Sequence, residues 1–85
     1  MPGAQHRMSD KYCRRFGQIA VESGYISEAQ AREALCRQID EDLAGKTHRL
    51  LGTILFDLEW MNSGQIEDVL DRLLQEIRAE RAAPQ

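Results

Sequence analysis

Long apolar runs, signal-like leaders and cysteine clusters are missing from this chain, and each absence removes a class of protein. No stretch approaches the roughly 20 consecutive apolar residues of a membrane span, so direct membrane insertion is not expected. The opening MPGAQHRMSD lacks the apolar core of a secretory signal and reads as a flexible leader over residues 1–10. Cys13 and Cys36 form neither a paired CxxC set nor a disulfide framework. Two thiols without a signal favour a reducing, cytoplasmic setting, with Cys36 read as a small buried hydrophobe and Cys13 as a partly exposed one. Aromatics make up 6% of the residues, with only two prolines and six glycines, which suits helices better than a sandwich of short strands. Basic excess is missing too. The net charge is −3, so the chain has no face basic enough for general duplex binding, and no nucleic-acid partner is expected.

What remains is unevenly distributed. Up to Gln38, Arg7, Lys11, Arg14, Arg15, Arg32 and Arg37 outnumber the acids; after it, acids dominate from Asp40 to Glu80. This polarity leaves room for a small anion site in the N-terminal half. Eighty-five residues make a single domain, which buries only roughly 60% of its unfolded surface and so has a thin core.

The chain repeats itself. A shift of 35 residues superimposes KYCRRFGQIAVESGYIS on KTHRLLGTILFDLEWMN. It aligns Lys11 with Lys46, Arg14 with Arg49, Gly17 with Gly52, Ile19 with Ile54 and Gln30 with Gln65. Fixed-period self-similarity is an architectural signal. The period is near that of tetratricopeptide repeats, but their Trp, Gly, Tyr, Ala and Pro offsets are not found here. Each copy reads as helix, turn, helix. Phe16, Ile19, Ala20 and Ser23 share one helical face, as do Leu51, Ile54, Leu55 and Leu58. Gly24 suits a left-handed helix end, and Gly45 ends the helix between copies. Ser27-x-x-Gln30 is a capping box, with Asn62-x-x-Gln65 as its counterpart. The second helices are expected to bury Ala31, Ala34, Leu35, Ile39 and Leu43 in the first copy. In the second copy they bury Ile66, Val69, Leu70, Leu73, Leu74 and Ile77. The expectation is therefore an all-α domain over residues 11–80, built as two tandem helix-turn-helix hairpins (11–45 and 46–80), with a fraying tail over 81–85. The second hairpin carries the larger side chains and is expected to hold most of the core.

Catalytic patterns do not assemble. Gly45-Lys46-Thr47 looks like the end of a phosphate-binding loop, but that pattern requires glycine where Asp40 stands and a strand where a helix is expected. His6 and His48 lack zinc-ligand spacing, so no metal is expected and His48 reads as a surface residue. Asp40, Glu41 and Asp42 read as a solvated helix end, and Glu67, Asp68 and Asp71 as the polar face of a helix. No nucleophile stands beside a base, so the chain is not expected to be an enzyme or to hold a cofactor.

The segments RRFG and HRLLG place a guanidinium beside a glycine at a helix. Arginine can stack on a base or grip a phosphate in bidentate fashion. Glycine lets a flat ligand come close, or equally lets two helices cross tightly. Around these segments the chain resembles the MshEN domain, the N-terminal module of type II secretion and type IV pilus assembly ATPases. Its tandem motif runs Arg-Leu-Gly-x-x-Leu-Val-x-x-Gly, then Gln-Leu-x-x-Ala-Leu-x-x-Gln. The first copy supplies Arg15, Phe16, Gly17, Ala20, Val21, Gly24, Gln30, Ala31, Ala34, Leu35 and Gln38. The second supplies Leu50, Leu51, Gly52, Leu55, Phe56, Gln65, Ile66, Val69 and Leu70. The likeness covers essentially everything between the tails. Departures sit mostly in the second copy, where Leu50 occupies the arginine slot with Arg49 one place early, Glu59 replaces a glycine, and Leu73 replaces the closing glutamine; in the first copy Ala20 and Ala31 are smaller than the family's usual leucines.

The resemblance implies a helical domain without ATPase activity of its own. In the family some members bind cyclic di-GMP across both motifs, and others dock onto platform proteins of the secretion machine. Carried over, Arg14, Arg15, Gly17, Arg49 and Gly52 are the expected ligand contacts, with Phe16, Val21, Leu50 and Leu51 as apolar walls. For docking to a secretion or pilus-type protein, Val21 and Phe56 off the main stripes and Tyr25 and Trp60 at the turns are the candidate surface. A homodimer burying these residues is a further arrangement that a thin core allows.

Overall fold

The computed structural model describes the backbone of residues 2–82 and the side chains of residues 11–81. Four helices follow in order: α1 (Pro2–Glu22), α2 (Glu28–Leu43), α3 (Leu51–Asp57) and α4 (Ser63–Ala82). Among the described residues there is no strand. The first helix takes in most of the segment expected as a leader. At the other end α4 continues through Arg81 and Ala82, and the rest of the expected tail lies outside the described residues.

Local chemistry explains where the helices stop. At the end of α1 the Gly24 N–H donates to Val21 O at 3.0 Å and the Tyr25 N–H to Ala20 O at 3.0 Å, the paired bonds of a Schellman motif closed by a left-handed residue. Gly24 has φ +81°, as that conformation requires. The end of α2 repeats the pattern: Gly45 donates to Asp42 O, Lys46 donates to Glu41 O, and Gly45 has φ +75°. The end of α3 has the same two bonds, Glu59 to Phe56 O and Trp60 to Leu55 O. There the left-handed residue is Glu59, at φ +62°. Both long second helices start from reciprocal capping boxes. Ser27 Oγ accepts from the Gln30 N–H at 3.1 Å while Gln30 Oε1 accepts from the Ser27 N–H at 2.9 Å. Asn62 and Gln65 do the same at 2.9 and 3.0 Å.

Packing places α1 at the centre. It touches α2, α3 and α4, whereas α2 and α4 do not meet. Cys13, Phe16, Ile19 and Ala20 of α1 are buried with Ala31 and Ala34 of α2, Leu51, Ile54 and Leu55 of α3, and Val69 and Leu73 of α4. Two glycines allow the close α1–α3 approach. A Cβ on Gly17 would lie 3.3 Å from Leu51 Cδ2, and one on Gly52 would lie 3.3 Å from Phe16 Cζ. Each large side chain of one helix covers the glycine of the other.

Several expected burials differ. The largest fully buried side chains, Leu51, Ile54, Leu55 and Val69, do come from the second half, but the core is shared between both halves. Helix α2 turns Ala31, Ala34 and Gln38 inward, which leaves Leu35 half-buried and puts Ile39 and Leu43 on the outside, Leu43 at 82% exposure. The cysteines are reversed: Cys13 is buried one turn before Phe16 on the inward face of α1, and Cys36 is exposed on α2. On α4, Val69 and Leu73 are buried, while Leu70 and Leu74 remain largely exposed.

A non-glycine residue in the left-handed region costs on the order of 1 kcal/mol relative to glycine. Glu59→Gly is therefore expected to stabilise the fold by about 1 kcal/mol, raising Tm by about 4–8 °C for a domain of this size. Thermal unfolding followed by circular dichroism measures it, and an unchanged or lower Tm would refute the assigned strain.

Candidate functional site

The nine expected ligand residues do not share one site. They divide among three grooves and a linker. Phe16, Leu50, Leu51 and Gly52 line an apolar groove of about 440 Å³ formed by α1, α3 and α4, together with Tyr12, Cys13, Phe56, Ile66 and Leu70. Arg14, Gly17 and Val21 line a second groove of about 450 Å³ between α1 and α2, where Glu22, Glu28 and Arg32 make the walls polar. Arg15 lies in a third, between α1 and α4. Arg49 lies in the linker before α3.

Two of the arginines are already engaged. Arg15 Nε donates to Glu76 Oε1 at 2.7 Å and its Nη2 to Glu76 Oε2 at 2.6 Å, joining α1 to α4; Gln18 and Glu22 complete its surroundings. Arg49 forks onto both oxygens of Glu41 and reaches Asp57 Oδ2 at 2.7 Å. These are two-point, charge-assisted pairs. The hydrogen bond from Arg15 holds the Glu76 carboxyl below its ordinary value, and that from Arg49 does the same to Glu41. An incoming anion must displace a carboxylate that is tethered to the same chain. Arg14 differs, being exposed and without a hydrogen-bond or ion-pair partner among the described residues.

The candidate docking residues also separate. Tyr25 is tied into the fold: its hydroxyl donates to Asp68 Oδ2 at 2.5 Å, and Asp68 also pairs with Arg72 at 3.2 Å. Val21 is half-buried beside the polar groove. Phe56 is 52% exposed and forms a ridge between the apolar groove and a fourth depression that holds Glu59 and Trp60. Of the acidic run expected as a solvated helix end, Asp40 is exposed, but Glu41 and Asp42 are half-buried. Glu41 binds Arg49, and Asp42 takes His48 Nδ1 at 3.0 Å, so His48 is partly buried rather than a free surface residue. His6 lies outside the described side chains.

Gln38 is the residue that hydrophobic patterning missed. It is the one buried polar side chain among the described residues, and its Nε2 donates to Arg49 O at 2.7 Å and lies 3.3 Å from Cys13 Sγ. It thereby fastens the linker before α3 onto α1 and α2. Its place as the closing glutamine of the motif was the only signal, and a glutamine reads as polar surface by default. Among the described residues no cluster of His, Cys, Asp and Glu could hold a metal ion, and no helix is long and apolar enough to cross a membrane. No protein-family model, curated protein or solved structure matches the chain.

Glu41 and Glu76 have folded-state values below the ordinary 4.5. Their contribution to stability is thus fully present above the unfolded value and is lost as pH falls through the folded one. Urea unfolding between about pH 6 and pH 3 is expected to show stability falling on the acid side. The fall should be shallower in Glu41→Gln and Glu76→Gln; parallel pH profiles for wild type and both variants would contradict the bidentate pairing.

Proposed function

We propose that the chain is a non-catalytic binding module of the kind found at the N-terminus of secretion and pilus ATPases, working in the cytoplasm as an adaptor that docks a protein of such a machine. The observation that carries this reading is the pairing of an open apolar groove with occupied arginines. Leu50, Phe56 and Leu70 stand exposed around the groove, Leu50 at 60%, and exposed apolar side chains gathered in one place mark interaction surfaces. Arg15 and Arg49, the charges an anionic ligand would need, are spent on Glu76 and Glu41. The two halves are read as one duplicated hairpin with a period of about 35 residues. The matching helix ends and capping boxes support that duplication, as does the reciprocal contact of Gly17 with Leu51 and Gly52 with Phe16. The paired hairpins then present two related grooves, one apolar and one polar.

The polar groove favours a second reading, binding of cyclic di-GMP. Arg14 and Arg32 are both exposed there, and neither has a partner among the described residues. On the docking reading, calorimetric titration with cyclic di-GMP gives no heat beyond that of GTP and ATP controls. Binding of the dinucleotide alone, lost in Arg14→Ala, would turn the assignment to the second reading. For docking itself, Phe56→Ser is expected to keep its helical content and lose partner binding in a pairwise interaction screen against secretion and pilus-type components. A folded Phe56→Ser protein that keeps every partner would refute it.

A further inference from the structure

The apolar groove has an identifiable occupant in the charge pattern around it. On the α4 side, Leu70 lines the groove and Leu74 lies one turn further, 49% exposed. Glu67 and Asp71 each lie three positions from one of these leucines along the helix, so they border the same apolar strip. Both acids are exposed and have no partner among the described residues. On the α1 side the groove is lined by Tyr12, and the Lys11 ammonium sits 5.8 Å from the centre of that ring. Lys11 is exposed and has no carboxylate partner among the described residues. Among the described residues the groove is therefore bordered by Glu67 and Asp71 along α4 and by Lys11 at α1, with the half-exposed Phe56 ring standing at its edge.

We infer that this groove pairs with the same groove on a second copy of the chain in a two-fold dimer. This rests on the reading of the groove as a docking surface: the second copy covers it in the free chain and competes there with the protein that docks. In a two-fold interface residue i meets residue j of the partner while j meets i. With the two-fold axis running along the groove, a surface with opposite charge on its two sides is complementary to itself. The partner's Glu67 and Asp71 come against Lys11, and Lys11 of the partner comes against Glu67 and Asp71. Phe56 enters the partner's groove and Leu50, Leu70 and Leu74 are covered. A chain of this size, with a thin core, gains from burying such side chains between copies. The glycine-permitted crossing of Phe16 and Leu51 forms the groove floor and stays intact in both copies.

The test is the oligomeric state of the full chain, measured by sedimentation and by light scattering across a concentration series. A dimer that dissociates on dilution is expected, with Leu70→Asp monomeric and unchanged in helical content. Lys11→Glu and Glu67→Lys are each expected to weaken the dimer about five- to tenfold. Mixed in equal amounts, these two variants pair more tightly than either does alone, recovering at least about half of the lost affinity on a logarithmic scale, because both 11–67 contacts of the heterodimer then join opposite charges and only one Asp71 faces the introduced carboxylate. A wild-type chain that stays monomeric at all concentrations overturns the inference, as does a dimer indifferent to Leu70→Asp or a mixture that fails to recover. The docking reading fails separately. A monomer whose Phe56→Ser variant still loses a heterologous partner keeps docking and discards self-pairing.

Discussion

The reciprocal contact between Phe16 over Gly52 and Leu51 over Gly17 is the constraint on which the rest of the molecule depends. Each glycine lets a bulky neighbour approach to where a Cβ would stand at 3.3 Å, tighter than side chains normally pack. Phe16 and Leu51 are almost fully buried by it, and burying two side chains of this size contributes roughly 3–6 kcal/mol. The crossing sets α3 against α1. With α3 only seven residues long, no extended helix pairing of its own could hold it there. Once α3 is seated, α2 and α4 flank α1 without touching one another, and the grooves between them follow. The same pair of residues forms the floor of the apolar groove, so the core and the proposed working surface are two sides of one contact.

Electrostatics then secures what packing has placed. One ion pair joins the basic N-terminal half to the acidic C-terminal half. Arg15 reaches Glu76 and joins α1 to α4. Arg49 grips Glu41 and Asp57, and Arg72 reaches Asp68 while also donating to Ser23. Partly exposed pairs contribute little individually, but these tie α1 to α4 and the linker to α2 and to the end of α3. Gln38 adds the buried polar tie, holding the carbonyl of Arg49 so that its guanidinium is aimed at Glu41. The consequence for function is direct: Arg15 and Arg49, two of the cations that an anion site would use, are taken up by internal pairing. Arg14 and Arg32 are left facing the polar groove, and Lys11 stands at the edge of the apolar one.

The two halves end their helices alike and differ in surface. Gly24 closes α1 and Glu59 closes α3 in the same left-handed conformation, with φ of +81° and +62°, so one helix-end geometry is built on glycine in one place and on glutamate in the other. Gly17, Val21, Ala31 and Leu35 border one groove while Gly52, Phe56, Ile66 and Leu70 border the other. Small residues and charges make the first shallow and polar. Large apolar residues make the second a place for another apolar side chain.

Elements governed by neighbours in the chain were legible from the sequence alone. The helical class, the capping boxes at Ser27 and Asn62, and the left-handed ends at Gly24 and Gly45 all follow from backbone hydrogen bonding over a few residues. The inward face of α3 at Leu51, Ile54 and Leu55 follows from period alone. What required the tertiary structure was each residue whose role depends on a distant partner. Patterning sent Ile39 and Leu43 inward, but α2 rotates to bring Gln38 to the core, because the carbonyl of Arg49 needs a donor there. It also placed Cys13 outside and Cys36 inside, although burial of α1 on three sides reverses them. The arginines illustrate the limit most clearly. Arg15 and Arg49 could be recognised as cations beside a glycine, yet whether they face a ligand or a carboxylate of their own chain was decided by Glu76 and Glu41. Those acids are 61 and 8 residues away, and only the packing of α4 on α1 and the return of the linker onto α2 bring them within reach.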